Sequence, residues 1–258
     1  MIHAVWNLLL AGARDSEATA AVALPVSALA CAPLAIVFWD VDAAAWPFVA
    51  ASSALELAYF ALLAAAYRRA ELSVVYPLAR GLAPVLVLAG VVAFTAASTS
   101  APQVLGVLLV AAGILLVRGL SRGRGAAFGV LIACCIAGYT VVDKHGVSHA
   151  SPIAYLELIT AFTGTAYAAG LAAVRGPRAV ARAFGWRAIV AGLAAFAAYG
   201  LVLAALRLAS AASVAAVRET SVVVAAGLAA VVLKERVTPW RLGGAVLVAG
   251  GVALVSLA

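Results

Sequence analysis

Apolar residues fill this chain in long unbroken runs, and the polar residues that interrupt them are few and clustered. Ten apolar segments stand out, at roughly 1–13, 17–38, 47–67, 72–96, 102–118, 125–142, 152–174, 187–206, 210–233 and 239–257. Hydrophobic positions within them are continuous rather than alternating, which favours helices over strands. The breaks carry turn-forming or charged residues, such as Trp39-Asp-Val-Asp, Ser98-Thr-Ser-Ala-Pro, Gly176-Pro-Arg and Lys234-Glu-Arg. With loops this short, consecutive helices must be antiparallel neighbours, and no soluble domain has room to form.

The pattern also repeats. Shifted by 138 positions, residues 106–117 lie over residues 244–255 with seven of twelve identical. Without a gap, the same shift lays Arg80 on Arg218 and Arg69 on Arg207. The expected organisation is two five-helix repeats, 1–118 and 125–258, together forming one transmembrane domain. Five is odd, so the second repeat enters the membrane upside down. Inverted repeats of this kind let two related halves rock about a midplane site, as secondary transporters do. The alternative is a duplicated helical scaffold that moves nothing.

Composition turns segments into spans. Of the 258 residues, 67% are hydrophobic, and mean hydropathy is +1.15; soluble domains are about 45–50% apolar. Such a chain needs a bilayer as its solvent, and there each backbone amide must be paired within its own helix. The expected fold class is therefore an all-α integral membrane protein of about ten transmembrane helices. Net charge is +7, but the basic residues sit mostly between apolar runs, so no nucleic-acid partner is expected. Thirteen of the seventeen Lys and Arg residues fall in the loops after odd-numbered segments. That bias puts those loops in the cytoplasm and both chain ends outside. The first segment has only about thirteen residues where a span needs about twenty. Either the start lies upstream or the first helix is short and tucked among its neighbours. No basic region precedes it, so no cleaved leader is expected.

Charge inside a span costs a few kcal/mol or more, so each such residue requires a reason. Arg80 lies in the fourth segment; Tyr76, Arg80 and Pro84, spaced by four, share one helical face. Arg80 is either the cationic anchor of a polar or anionic substrate or half of an internal ion pair that staples the bundle. Arg218 and Glu219 lie within the ninth segment, about 100° apart around a helix, so they do not pair with each other. Arg80 with Glu219, or Arg218 with Glu56, are the natural cross-helix pairs. Glu56 is central in the third segment, and Glu56 or Glu219 could alternatively carry a proton. Trp6, Asn7, Tyr59, Tyr76, Tyr139, Tyr155 and Tyr199 supply polar aromatic surface suited to a small-molecule cavity or to ordinary helix packing.

The sixth segment runs into Asp143, Lys144, His145 and His149. This stretch reads as a capped, solvated helix end near a cavity mouth, with Glu157 and Tyr155 facing the same mouth. Histidines four apart suggest a metal pair, but Gly146 follows directly and no metal or other cofactor is expected. Cys31, Cys134 and Cys135 read as small buried side chains. Glycines 106, 113, 244 and 251 allow close approach, either between the fifth and tenth segments or at a homodimer face. Catalytic motifs are absent, and without a Walker A sequence ATP-driven transport within this chain is excluded.

Several of these stretches together resemble the EamA-type transporters of the drug/metabolite transporter superfamily. Ser73-Val-Val-Tyr-Pro-Leu-Ala-Arg-Gly and Val217-Arg-Glu-Thr-Ser resemble their fourth and ninth helices. His3-Ala-Val-Trp-Asn resembles the first, Tyr139-Thr-Val-Val-Asp-Lys the sixth, and Leu233-Lys-Glu-Arg-Val-Thr-Pro the turn before the last. Two departures are Lys234, where glycine is more usual, and Ala96-Ala97, where the first half lacks the equivalent acid. The resemblance implies ten helices in two inverted repeats around a central cavity. It also implies secondary transport, often export, of a small metabolite or drug across a bacterial-type plasma membrane. The substrate contacts expected are Arg80, Tyr76, Arg218, Glu219, Glu56, Trp6 and Tyr139. The competing readings are a membrane-embedded enzyme acting on a lipid-linked molecule, which would have to use Asp143, His145 and His149, and a non-transporting scaffold.

Overall fold

A computed structural model describes residues 6, 9–10, 13–70, 72–94, 99–118, 125–221 and 238–256. Most of the first expected segment, including Asn7, lies outside the described residues. So do the latter part of the ninth segment and the turn from Leu233 to Val237. Described helices are α1 (Ser16–Val37), α2 (Trp46–Arg69), α3 (Leu72–Phe94), α4 (Ala101–Arg118), α5 (Ala126–Gly146), α6 (Pro152–Arg175), α7 (Pro177–Ala181), α8 (Trp186–Leu208), α9 (Ala211–Arg218) and α10 (Pro239–Ser256). Among the described residues the one extended pairing is a bridge between Val41 and Ala150.

Among the described residues five helices are long and apolar enough to cross a membrane: Ser16–Val37, Ala43–Ala66, Ala126–Gly146, Pro152–Arg175 and Trp186–Leu208. Leu78–Ala93, Ala101–Leu116 and Leu242–Val255 are shorter apolar helices. The chain is thus a multi-pass integral membrane protein whose named elements, among the described residues, are all helices.

Helix ends follow local chemistry. Asp15 caps α1, accepting from the Ala18 amide at 3.0 Å. Ser151 caps α6, followed by Pro152 in its first turn, and Gly176, at φ 84°, ends it in a conformation that disfavours side chains. Ser210 caps α9 through the Ser213 amide. The short helix α7 has no counterpart in the pattern of apolar segments, because five residues are too few to show a period.

The helices form two compact units. The first takes residues 1–61 and 142–208, the second 62–141 and 209–258, so each draws on both the early and the late parts of the sequence. In the first unit α1 packs against both α6 and α8. A Cβ at Gly192 would stand 2.3 Å from the Ala23 carbonyl oxygen, and one at Gly164 2.8 Å from Leu24 Cβ. Loops also clasp here: Asp42 N–H donates to His149 O at 2.9 Å, Ser151 N–H to Asp40 O at 2.7 Å, and Ser151 Oγ to Phe38 O at 2.6 Å.

In the second unit α4 and α10 cross antiparallel, glycine on glycine. A Cβ at Gly113 would meet Gly244 O at 2.6 Å and Val248 Cγ2 at 2.7 Å; one at Gly251 would meet Gly106 O at 2.6 Å and Val110 Cγ2 at 2.9 Å. Adding 138 to Gly113, Gly106 and Val110 gives Gly251, Gly244 and Val248, so each contact set is the other's counterpart under the sequence shift. These four glycines pack the fifth apolar segment on the tenth, within the chain.

Candidate functional site

The second unit holds a buried pair of opposite charges. Arg80 on α3 is 7% exposed and Glu219, just past α9, is 2% exposed. They form an ion pair, Nε to Oε2 3.0 Å. The Arg80 Nη2 also donates to Ser221 Oγ at 3.4 Å. One of the two cross-helix pairs expected from sequence is therefore formed.

The helix around Glu219 departs from expectation. The ninth segment is not one continuous helix: α9 stops at Arg218 and turns at Glu219, and residues 220–221 are helical again. The Glu219 amide donates to Ala216 O at 3.1 Å, three residues back rather than four, and Thr220 Oγ1 donates to Val217 O at 2.8 Å. A hydroxyl that competes for backbone carbonyls loosens a helix. The break also leaves Glu219 at the negative end of α9, where a carboxylate is disfavoured, and Arg80 supplies the counter-charge. At the other end of α9, Gln103 Nε2 donates to Ser210 Oγ at 2.7 Å and to Ser213 Oγ at 3.1 Å, tying α4 to the helix cap.

Other residues expected at the site are placed as follows. Arg218 is half-buried and Tyr139 is buried, both in the second unit. The Tyr76 side chain lies outside the described residues. Trp6 and Glu56, both half-buried, belong to the first unit.

The first unit contains a polar cluster of Asp143, Tyr155 and Tyr199; the sequence places Asp143 and Tyr155 near one cavity mouth but does not pair them. Asp143 is fully buried, which corrects its reading as a solvated helix end. Its carboxylate accepts from Tyr155 Oη at 3.1 Å and from Tyr199 Oη at 2.5 Å, joining the end of α5 to α6 and α8. The neighbouring Lys144 donates to Leu206 O at 2.6 Å. Gly146 makes room for this arrangement, since a Cβ there would stand 2.3 Å from the Tyr155 ring. Glu56 lies within electrostatic reach of the Tyr155 hydroxyl. Glu157 stands about 200° around α6 from Tyr155; its buried Oε2 has no hydrogen-bond partner among the described residues, and Cys31 on α1 is its electrostatic neighbour. His145 and His149 stack on Phe48, with centroids 6.2 and 5.7 Å away. The signal that could have found this cluster is the i, i+3 spacing of Asp143 and Gly146 ahead of Tyr155.

Several long apolar helices, with buried charged side chains in each unit, define a polytopic helical membrane protein. The model of the EamA-like transporter family matches residues 123–257, just over half of the chain, and the protein belongs to that family. Its members are membrane transporters of the drug/metabolite type rather than enzymes. A solved crystal structure at 17% identity superposes with a TM-score of 0.74, over 99% of this chain and 94% of its own; that likeness bears on the fold alone. No curated protein matches the chain.

Proposed function

We propose that this protein is a secondary active transporter that exports a small polar metabolite or drug by alternating access between two inverted five-helix repeats. The observation that carries the reading is the buried Arg80–Glu219 pair at the break in α9. Desolvating two charges gains little net stability over an apolar pair, so such a pair in a membrane interior points to a use beyond folding. A substrate carrying an anionic group can exchange for Glu219 at Arg80, and a cationic group on the same molecule can meet the displaced carboxylate. This favours a zwitterionic or anionic substrate. Tyr76, Arg218 and Tyr139, which belong to the same unit as the pair, are its proposed further contacts. A bacterial-type plasma membrane is the proposed location.

The test is thermal unfolding of purified protein against metabolites grouped by charge, followed by flux of any hit in proteoliposomes. A ligand at about 100 times its dissociation constant stabilises the native state by about 2.7 kcal/mol. An anionic or zwitterionic hit that moves across the bilayer, and whose stabilisation vanishes in Arg80→Ala and in Glu219→Gln, supports the proposal. A hit that stabilises both variants equally makes the pair a structural staple. A hit that binds but shows no flux makes the chain a scaffold or receptor.

A further inference from the structure

The segment between α6 and α8 is too ordered and too one-sided in charge to be only a connection. Both neighbouring helices have the length and composition of spans, Pro152–Arg175 and Trp186–Leu208, so residues 176–186 lie at a membrane surface. There α7 is stapled down. Val180 is 9% exposed and belongs to a core cluster with Ala20, Ala21, Val22, Ala23, Tyr167 and Ala188, against which Ala183 also packs.

The other side of the staple faces outward. The Arg182 amide donates to Arg178 O at 3.2 Å, so these arginines stand one turn apart on the same face, with Val180 roughly opposite. Both are exposed. Phe184 and Trp186 are each 63% exposed, and the Arg187 guanidinium lies 5.5 Å from the centre of the Trp186 ring. The nearby acids are already engaged: Arg175 pairs with Asp15 at 3.0 Å and also with Glu17. Neither Arg178 nor Arg182 has an ion pair among the described residues.

We propose that Arg178, Arg182 and Arg187, with Phe184 and Trp186, form a docking site for the headgroup of an anionic phospholipid. Guanidiniums suit phosphate oxygens, which they can bind bidentately. Amphipathic rings suit the level of the headgroups. Basic side chains at a membrane surface favour anionic over zwitterionic lipid by about fivefold for each residue engaged.

The full chain is reconstituted in phosphatidylcholine vesicles doped with brominated phosphatidylglycerol or brominated phosphatidylcholine at equal mole fraction. Quenching at Trp186 is isolated as the difference between wild type and Trp186→Phe. The expected result is stronger quenching by the anionic lipid, weakened by salt, insensitive to added inorganic phosphate and abolished in Arg178→Gln/Arg182→Gln. Both substituted side chains are exposed, so thermal unfolding of that variant should match wild type. Equal quenching by the two lipids, or a preference that survives the double substitution, overturns the proposal. Competition by inorganic phosphate overturns it as well, by making the site one for a free anion.

Discussion

At the scale of single residues, the two polar clusters place different demands on their members. Arg80 and Glu219 are charges that hold each other inside an apolar unit. Removing one leaves the other buried and uncompensated, so Arg80→Ala should cost about 3–5 kcal/mol. Arg80→Gln/Glu219→Gln, which removes both charges, should recover most of that loss; unfolding in detergent, run as a double-mutant cycle, measures it. Around Asp143 the donors are tyrosine hydroxyls. Tyr199→Phe should lose about 1.5–3 kcal/mol, the worth of a hydrogen bond to a charged group, and that loss should disappear when Asp143 is already leucine. Thermal melts of the single and double variants check this. One pair was legible in the sequence and the other cluster was not, for a physical reason. A charge in mid-segment has no water to turn to, so a partner is compelled. A charge at a segment end has two options, and the order of residues does not say which is taken. What covers Asp143 comes from α6 and α8, through Tyr155 and Tyr199, 12 and 56 residues away in sequence.

At the scale of elements, hydrophobic runs located the helices well and their interruptions poorly. The ninth segment is apolar on both sides of Arg218-Glu219-Thr220-Ser221, and that polar dip fits a charged site within one helix as well as it fits a break. The break arises from short-range competition by the Thr220 hydroxyl and from the pull of Arg80 on Glu219, which a hydrophobic pattern does not record. The glycines were legible because their seven-residue spacing keeps them on one face. Their roles can now be separated. Gly113→Ala places a methyl group against the Gly244 backbone and the Val248 side chain, and should destabilise by about 1–3 kcal/mol or more. Gly250 is exposed and a Cβ there meets nothing within 4 Å. Gly250→Ala should therefore be neutral or stabilise by up to about 1 kcal/mol. Unfolding of the two variants side by side tests whether the glycines act through contact or through backbone freedom.

At the scale of the whole molecule, the basic loops make an orientation testable. Helix α6 has 24 residues, about 36 Å of rise, which is enough to put Ser148 and Arg182 on opposite membrane faces. With Cys31, Cys134 and Cys135 replaced, Arg182→Cys should react with an impermeant maleimide only when it is applied from the cytoplasm. Ser148→Cys should react only from outside. The reverse pattern would overturn the reading of the Lys and Arg bias.

The crossing of α4 and α10 has a consequence for balance. A contact that maps onto itself when the two halves of the sequence are exchanged belongs equally to both, so it contributes no preference between two arrangements related by that exchange. Any bias must come from positions where the halves have diverged. Arg80 and Arg218 correspond under the 138-residue shift, but Glu219 corresponds to Gly81, which sits against Leu115. At this position only the second half has an acid, so the buried pair it forms has no counterpart under the shift.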